Sequence, residues 1–330
     1  RANSIAFDIR EAGRVKTDEK GKQVLDANGN EVRIPGSLKG VKAIGWYIEE
    51  YGQAQVSINI TQFRETPLHI VFEECYKSAF HRGARVTGSE LVGLVPLSSM
   101  LDAGKYFLKK QRLSAGVSDE ELIRIAIKSM GLDELADFNP EEKIIEYKLY
   151  GKERIGKLIS MNLRAFANET ASESPAPGGG SIAAYVGSLG ISLATMVANL
   201  SSHKKGWDER WEEFSNWAEK GEQYKNELVK LVDADTRAFN QIMQAFGLPK
   251  SNETEKTTRS KAIQDATKYA IDIPFKVMQV TYESMQVIKA MADIGNPNSI
   301  SDAGVGALCA RSAVMGEFMK MYFKDVETGR

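Results

Sequence analysis

At position 235 the chain carries a carboxylate where its own pattern asks for an apolar side chain. From about Glu209 to Phe246 apolar residues recur at heptad spacing, with Phe214, Gly221, Leu228 and Ile242 on one line and Trp217, Tyr224, Leu231 and Ala238 on the other. Asp235 falls on the first line. Burying a carboxylate among Leu228, Leu231, Phe239 and Ile242 is costly unless it is paired, hydrated or protonated. Two readings fit. Asp235 is a general acid/base made ready near neutral pH by desolvation, or it is a polar residue that fixes helix register or is satisfied by a partner Lys or backbone group. Asp233, two residues earlier, is expected off the seam and in solvent.

The segment SPAPGGGS is the second chemical feature. Gly178, Gly179 and Gly180 let backbone N–H groups approach a ligand at the start of the following helix, a site suited to an anion or a polar ring. It matches neither the Walker pattern nor GxGxxG, and the alternative is an ordinary loop capped by Ser181. Pro35-Gly36-Ser37-Leu38, taken alone, is a turn. His69, His81 and His203 form no pair at i, i+4 and have no Cys partner at zinc spacing, and Cys75 and Cys309 are far apart. The sequence therefore presents no recognised metal motif and no disulfide framework, and the cysteine usage fits a reducing cytoplasm. Without a nucleophile placed by a known pattern, the three histidines read as surface or helix-end residues. Trp207, Trp211 and Trp217 read as packing residues.

Two domains are expected from 330 residues. The 43 basic and 44 acidic residues leave a net charge of −1, which argues against nucleic acid or an anionic membrane as partner. The first half alternates elements. RANSIAFDIREAGR reads as a helix, and Asn28-Gly29 marks a hairpin inside a polar insertion from Val15 to Gly36. VKAIGWYIEE and AQVSINI read as strands joined at Tyr51-Gly52-Gln53, and Pro67 opens a helix to about Arg82. A third strand is expected at ARVTGSELVG. This order is the split βαβ of a ferredoxin-like fold without its first strand, and the chain reads as a fragment. Two shorter helices follow, near Ser98–Gln111 and Ser118–Met130, the second opened by a Ser118/Glu121 capping box.

From Ile155 onward strand patterns vanish. Helices are expected at about 155–166, across the uncharged stretch ending at Ser202, at 209–246, at 252–291 interrupted by Pro274, and from Ser301 or Asp302. The uncharged stretch is long enough to be tested as a membrane span. Ser188, Ser192, Thr195 and Asn199 dilute it, so it reads as a buried helix of a bundle. Its large seam is Ile182, Tyr185, Val186, Leu189, Leu193, Met196, Val197 and Leu200, and Gly190, Ala194 and Ala198 form a small-residue ridge expected to let a second copy approach. The fold class is α+β: a ferredoxin-like domain over residues 1–146, a linker over 147–156 and an all-α bundle of long helices over 157–330.

GSLKGVKAIGWYIEEYGQAQVSINI, TGSELVGLVPL, SPAPGGGSIAA, LVDADTRAF and GNPNSISD together resemble the formimidoyltransferase-cyclodeaminase family, over nearly the whole chain. The resemblance implies a transferase C-terminal subdomain followed by an all-helical cyclodeaminase. It implies a folate enzyme of histidine degradation that moves a formimidoyl group from N-formimidoyl-L-glutamate to tetrahydrofolate, then cyclises the product to 5,10-methenyl-tetrahydrofolate with release of ammonia. Tetrahydrofolate enters as a substrate, with no metal. The family's acid/base Asp, which closes the DAD motif, falls on Asp235, and a folate contact falls on Gly36, Ser37 and Leu38. The pterin is expected in a slot between helices, and the glutamate tail at Gly178, Gly179, Gly180 and Ser181 or at Lys204-Lys205. No transferase activity is expected of this chain alone, since the family's catalytic His lies in an N-terminal subdomain with no counterpart here. The tail FMKMYFKDVETGR departs from the family's continuing helix.

Three readings remain at this point: the cyclodeaminase, a methenyl-tetrahydrofolate cyclohydrolase using the same pocket with water, and a non-catalytic helical oligomerisation module. The expected partners are the small-molecule substrates and copies of the chain, as a homo-oligomer built from dimers, with no membrane insertion.

Overall fold

A computed structural model describes residues 1–50, 52–151 and 156–328, with residues 323–328 described by backbone alone. Two compact units emerge: Arg1–Phe107 with Asp119–Leu149, and Leu108–Ser118 with Tyr150–Arg330.

In the first unit, α1 (Ala2–Ile9) buries Ala2, Ile5, Ala6 and Ile9 along one stripe. β1 (Arg14–Val15) and β2 (Arg33–Ile34) pair at the base of the polar insertion. Its tip turns at Asn28-Gly29 as the dipeptide predicts: Gly29 has φ +81, and Asp26 Oδ1 accepts the N–H groups of Asn28 and Asn30. β3 (Val41–Ile48) and β4 (Gln53–Ile60) form an antiparallel pair running from Val41↔Ile60 to Ile48↔Gln53. Of the residues expected to join them, Tyr51 lies outside the described set. Alternation along β3 buries Val41, Ala43 and Gly45 and exposes Lys42, Ile44 and Trp46. The core of this layer is Ala6, Ile9, Leu38, Val41, Ala43 and Val71, the last from α2 (Leu68–His81).

The third strand expected at ARVTGSELVG does not form. The free edge of β3 is already occupied, because Glu11 N–H donates to Val41 O (3.0 Å) and Asn3 Oδ1 accepts the Gly45 N–H (3.0 Å). With that edge taken, the segment goes elsewhere. Ser89 N–H donates to Gly131 O, Ser89 Oγ donates to Met130 O, and Val95 makes a single parallel bridge to Ile144. A second core there joins α3 (Leu97–Lys110), α4 (Asp119–Met130) and the short α5 (Pro140–Lys143) and α6 (Ile145–Tyr150) through Met100, Ala103, Ile123, Ile127, Met130, Ile144 and Tyr147.

Among its described residues the second unit forms helices and loops, with no strand. Of the helix expected over about 155–166, residue 155 lies outside the described set; from residue 156 on, the helix is α7 (Leu163–Thr170), which Asn162 caps by accepting the Ala165 N–H at 2.9 Å. α8 (Gly179–Ser202), α9 (Trp211–Phe246), α10 (Glu253–Ile294) and α11 (Ile300–Thr328) make the bundle. Pro274 does not interrupt α10. It sits buried within the continuous helix between Ile273 and Val277, which hold it in the core.

α8 buries its small face and only part of its large seam, of which Val197 is fully buried. Its small residues face inward: Gly190, Ala194 and Ala198 are buried, and a Cβ on Gly190 would lie 2.8 Å from Gly306 O on α11. The large residues Leu189, Met196 and Leu200 are exposed. Small side chains allow the close helix contact, so they claim the interior although the larger ones are more hydrophobic. α8 has a mean hydropathy of 1.6 over its most apolar window, which makes it long and apolar enough to cross a membrane, and 61% of that window is buried inside the unit. Leu108–Ser118 is fastened to this bundle, with Ala115 N–H donating to Ser215 Oγ (3.0 Å) and Asn199 Nδ2 donating to Gly116 O (2.8 Å).

Candidate active site

The two chemical features of the second half of the sequence meet in the folded chain. Asp235 is buried on α9, 7% exposed, directly beneath the start of α8. Gly180 lies against it so closely that a Cβ there would fall 2.6 Å from both carboxylate oxygens and press on Lys320 Nζ. The third glycine of the loop is thus explained by a close approach. Ser181, fully buried, donates its hydroxyl to Val232 O at 2.9 Å and lies 3.4 Å from Asp235 Oδ2 and 3.3 Å from Thr236 Oγ1. Gly178 and Gly179 have open space where a side chain would stand. The start of α8 therefore has open space at Gly178 and Gly179 and a carboxylate against Gly180.

The carboxylate has a cationic partner. Lys320 of α11 donates to Asp235 Oδ1 in an ion pair whose side chains are 25% and 9% exposed. Neither Lys320 nor the fully buried Glu317 one turn before it figured among the sequence candidates. The signal was available, since Ala303, Ala310 and Ala313 form the buried stripe of α11 and positions 317 and 320 continue it at helical spacing. The tail read as a departure continues that helix as far as Thr328.

Asp233 is not solvated. It is 6% exposed, and its carboxylate accepts the N–H groups of Leu158 (2.9 Å) and Ile159 (3.2 Å). Two residues along an α-helix is a rotation of about 200°, so Asp233 leaves the Asp235 side only to meet the turn at 157–160 on the other. Lys204 and Lys205 follow the far end of α8, about 35 Å from Gly179 along a helix of this length. That separation removes them from a pocket at Asp235 in the same chain, and Lys204 Nζ instead stands 4.0 Å over the Trp207 ring.

Gly36, Ser37 and Leu38 lie in the first unit and are tied to the end of α1. Ser37 N–H donates to Asp8 O (2.8 Å) and Leu38 N–H to Ile9 O (3.1 Å). Leu38 is buried, while Ser37 is exposed. Glu74 is held below the usual carboxylate range, first by the Lys77 hydrogen bond and also by the Ser37 hydroxyl. Asp8 beside them receives Ser78 Oγ (2.6 Å) and Arg82 Nε (2.9 Å) and pairs with Arg14. His69 is buried rather than on the surface, because α3 lays the Tyr106 ring over it at 4.5 Å between centroids.

A sheet-and-helix unit followed by a helical bundle, with an ion pair under a glycine-rich helix start, defines a two-part α+β chain with an enzyme-like site in its second part. Residues 1–150 match the family model of the formiminotransferase domain, and residues 162–323 match that of formiminotransferase-cyclodeaminase. The chain is 38% identical over 327 residues to formimidoyltransferase-cyclodeaminase of Gallus gallus, covering 98% of this chain and 57% of that protein. It is 36% identical over 160 residues to methenyltetrahydrofolate cyclohydrolase of Methylorubrum extorquens, covering 48% of this chain and 77% of that one. A solved structure of formiminotetrahydrofolate cyclodeaminase from Thermotoga maritima shares 29% identity at a TM-score of 0.44, over 51% of this chain and 79% of that chain. The chain belongs to the formiminotransferase-cyclodeaminase family. It spans a little over half the length of the curated relatives that it matches along its whole extent.

Proposed function

We propose that the helical unit is a cyclodeaminase that closes 5-formimidoyl-tetrahydrofolate to 5,10-methenyl-tetrahydrofolate with release of ammonia. The observation that carries this reading is the convergence of Gly180, Ser181 and Asp235 at the start of α8, next to the open space at Gly178 and Gly179. Starting from the protonated formimidoyl group, the N10 lone pair attacks its carbon, and the N10 proton passes to Asp235. The carboxyl group then hands that proton to the departing nitrogen, whose bond to carbon breaks with the electron pair on nitrogen. One proton is moved, ammonia leaves, and no metal takes part in these steps. The N–H groups of Gly179 and Gly180 suit a polar edge of the pterin or a carboxylate of the glutamate tail.

In the first unit, Gly36, Ser37 and Leu38 supply a wall of a folate site for formimidoyl transfer from N-formimidoyl-L-glutamate, with Ser37 the side chain that faces outward. A second copy of the chain covers the outward apolar face of α8, where Leu189, Met196 and Leu200 stand exposed. The free thiols Cys75 and Cys309 fit a reducing cytoplasm.

The similarity to a methenyltetrahydrofolate cyclohydrolase favours a second reading, in which water attacks the methenyl carbon in the same gap. Incubation with 5-formimidoyl-tetrahydrofolate separates the two. Ammonia and the methenyl chromophore appearing in equal amounts support the cyclodeaminase. Consumption of added methenyl-tetrahydrofolate without any ammonia from the formimidoyl substrate supports the cyclohydrolase. No heat of folate binding in a calorimeter leaves the helical unit an assembly module.

A further inference from the structure

The proton path above uses Asp235 and leaves its closest neighbour without a part. Lys320 stands 85 residues away in sequence, yet its ammonium contacts Asp235 Oδ1. It is delivered by a helix whose seat is fixed: α11 packs on α8 through Gly306 against Gly190 and Ala313 against Gly187. The two carboxylate oxygens are therefore unlike. Oδ1 is held by Lys320, while Oδ2 lies 3.4 Å from a Ser181 hydroxyl whose shorter contact, 2.9 Å, goes to Val232 O. A hydroxyl has one proton to donate, so Oδ2 keeps its lone pairs for another donor. On that side Gly180 covers the pair with backbone alone.

We propose that Lys320 is the positioning residue of Asp235: by holding Oδ1 it fixes the rotation and the charge of the carboxylate so that Oδ2 receives the N10 proton. This inference rests on the cyclodeaminase reading. An ion pair serving only the scaffold has no need to leave one oxygen with unused acceptor capacity, and an ammonium serving the substrate's own carboxylates has no need to sit on Asp235.

The test measures kcat and KM for ammonia release by the full chain and by Lys320→Met, Lys320→Arg and Lys320→Gln, with folding checked by circular dichroism. Lys320→Met is expected to lower kcat about tenfold or more, general acid–base catalysis being the contribution at stake, with KM changed by no more than about twofold. Lys320→Arg, which keeps the cation, should recover most of the loss. Should Lys320→Met not fold, Lys320→Gln takes its place: a kcat below that of Lys320→Arg supports the role, and a kcat equal to that of the unsubstituted chain overturns it. Added to Asp235→Asn, the Lys320→Met change should lower the residual turnover no further, because the group through which it acts is gone. A raised KM with full kcat, or the same proportional loss in both backgrounds, overturns the inference. No ammonia from the unsubstituted chain overturns the cyclodeaminase reading and this inference together. Ammonia from the unsubstituted chain with turnover intact in Lys320→Met overturns this inference alone.

Discussion

The two units bury titratable side chains by different means. In the first, His69 lies under the Tyr106 ring with no hydrogen-bond partner at Nδ1 among the described residues. Burial pushes its pKa below the ordinary histidine value, against the opposing pull of Asp102 and Glu73. In the second, Asp233 and Asp235 are met by donors: two backbone N–H groups for one, an ammonium for the other. A buried group that loses its charge, or whose acceptors are all taken, has little left to offer a substrate. Of these three, Asp235 alone is paired with a side-chain cation and lies against the glycine-rich start of α8, and it is the acid/base candidate proposed for the helical unit.

The largest expected effect breaks that contrast at its reactive end. Asp235→Asn should lower ammonia release by about 10²–10⁴-fold, because the amide keeps the shape but can neither take up nor release a proton near neutral pH. The fold should survive. The Lys320 side chain is 25% exposed and can turn to water, so the stability loss is expected near 1 kcal/mol or below (~0–1 kcal/mol for pairs with solvent access). A loss of about 3–5 kcal/mol, with activity falling only as the fold does, is what a scaffold pair gives. Ammonia assays beside urea denaturation read both quantities.

Asp233 should behave in the opposite way. Asp233→Ala leaves the N–H groups of Leu158 and Ile159 without their acceptor, at about 1–3 kcal/mol for each buried group left unpaired. Turnover per folded molecule should hold. If Asp233→Ala retains its urea midpoint, or loses kcat at full folding, the division between a structural and a reactive carboxylate fails.

Much of this division was legible in the sequence, and the part that was not is instructive. Heptad spacing alone located Asp235 as buried, because periodicity reports which line of a helix faces its neighbours. Asp233 was misread because what meets it is a turn some 75 residues earlier, a tertiary contact that no pattern along α9 records. The faces of α8 were partly misread for a related reason. Hydrophobicity ranks Leu189, Met196 and Leu200 above Gly190, Ala194 and Ala198, but the distance between helices is set by side-chain size, and close packing chose the small ridge. The missing third strand shows the same limit, since its β-like composition said nothing of α1 having covered the edge it needed.

A smaller effect sharpens the picture of the gap. Gly180→Ala forces a methyl group onto the Asp235–Lys320 pair and should cost both stability and turnover, on the order of 1–3 kcal/mol for an overpacked site. Gly179→Ala meets open space and should leave stability level or raise it by about 0.4–1 kcal/mol through the unfolded chain. If that space receives the substrate, Gly179→Ala raises KM while stability stays level. An unchanged KM removes the gap from the binding site.

The smallest expected effect concerns the first unit and the charge that His69 gives up. With its folded pKa lowered from 6.5, the unfolded chain binds the proton more readily than the native one. The contribution of the neutral imidazole to stability is therefore complete above about pH 6.5 and is lost as the pH falls from there through the lowered folded value. The slope cannot exceed one proton, about 1.4 kcal/mol per pH unit. Asp102 and Glu73, the carboxylates that face the ring, act against burial and make the true slope shallower. Amide hydrogen exchange of α2, followed from pH 7.5 down to 5.5 and corrected for intrinsic rates, should report weakening protection, and His69→Gln, which has no proton to take up, should flatten the trend. Protection that strengthens on acidification would mean that the two carboxylates outweigh burial, and the first unit would then hold its histidine as the second holds Asp235, by a charged partner.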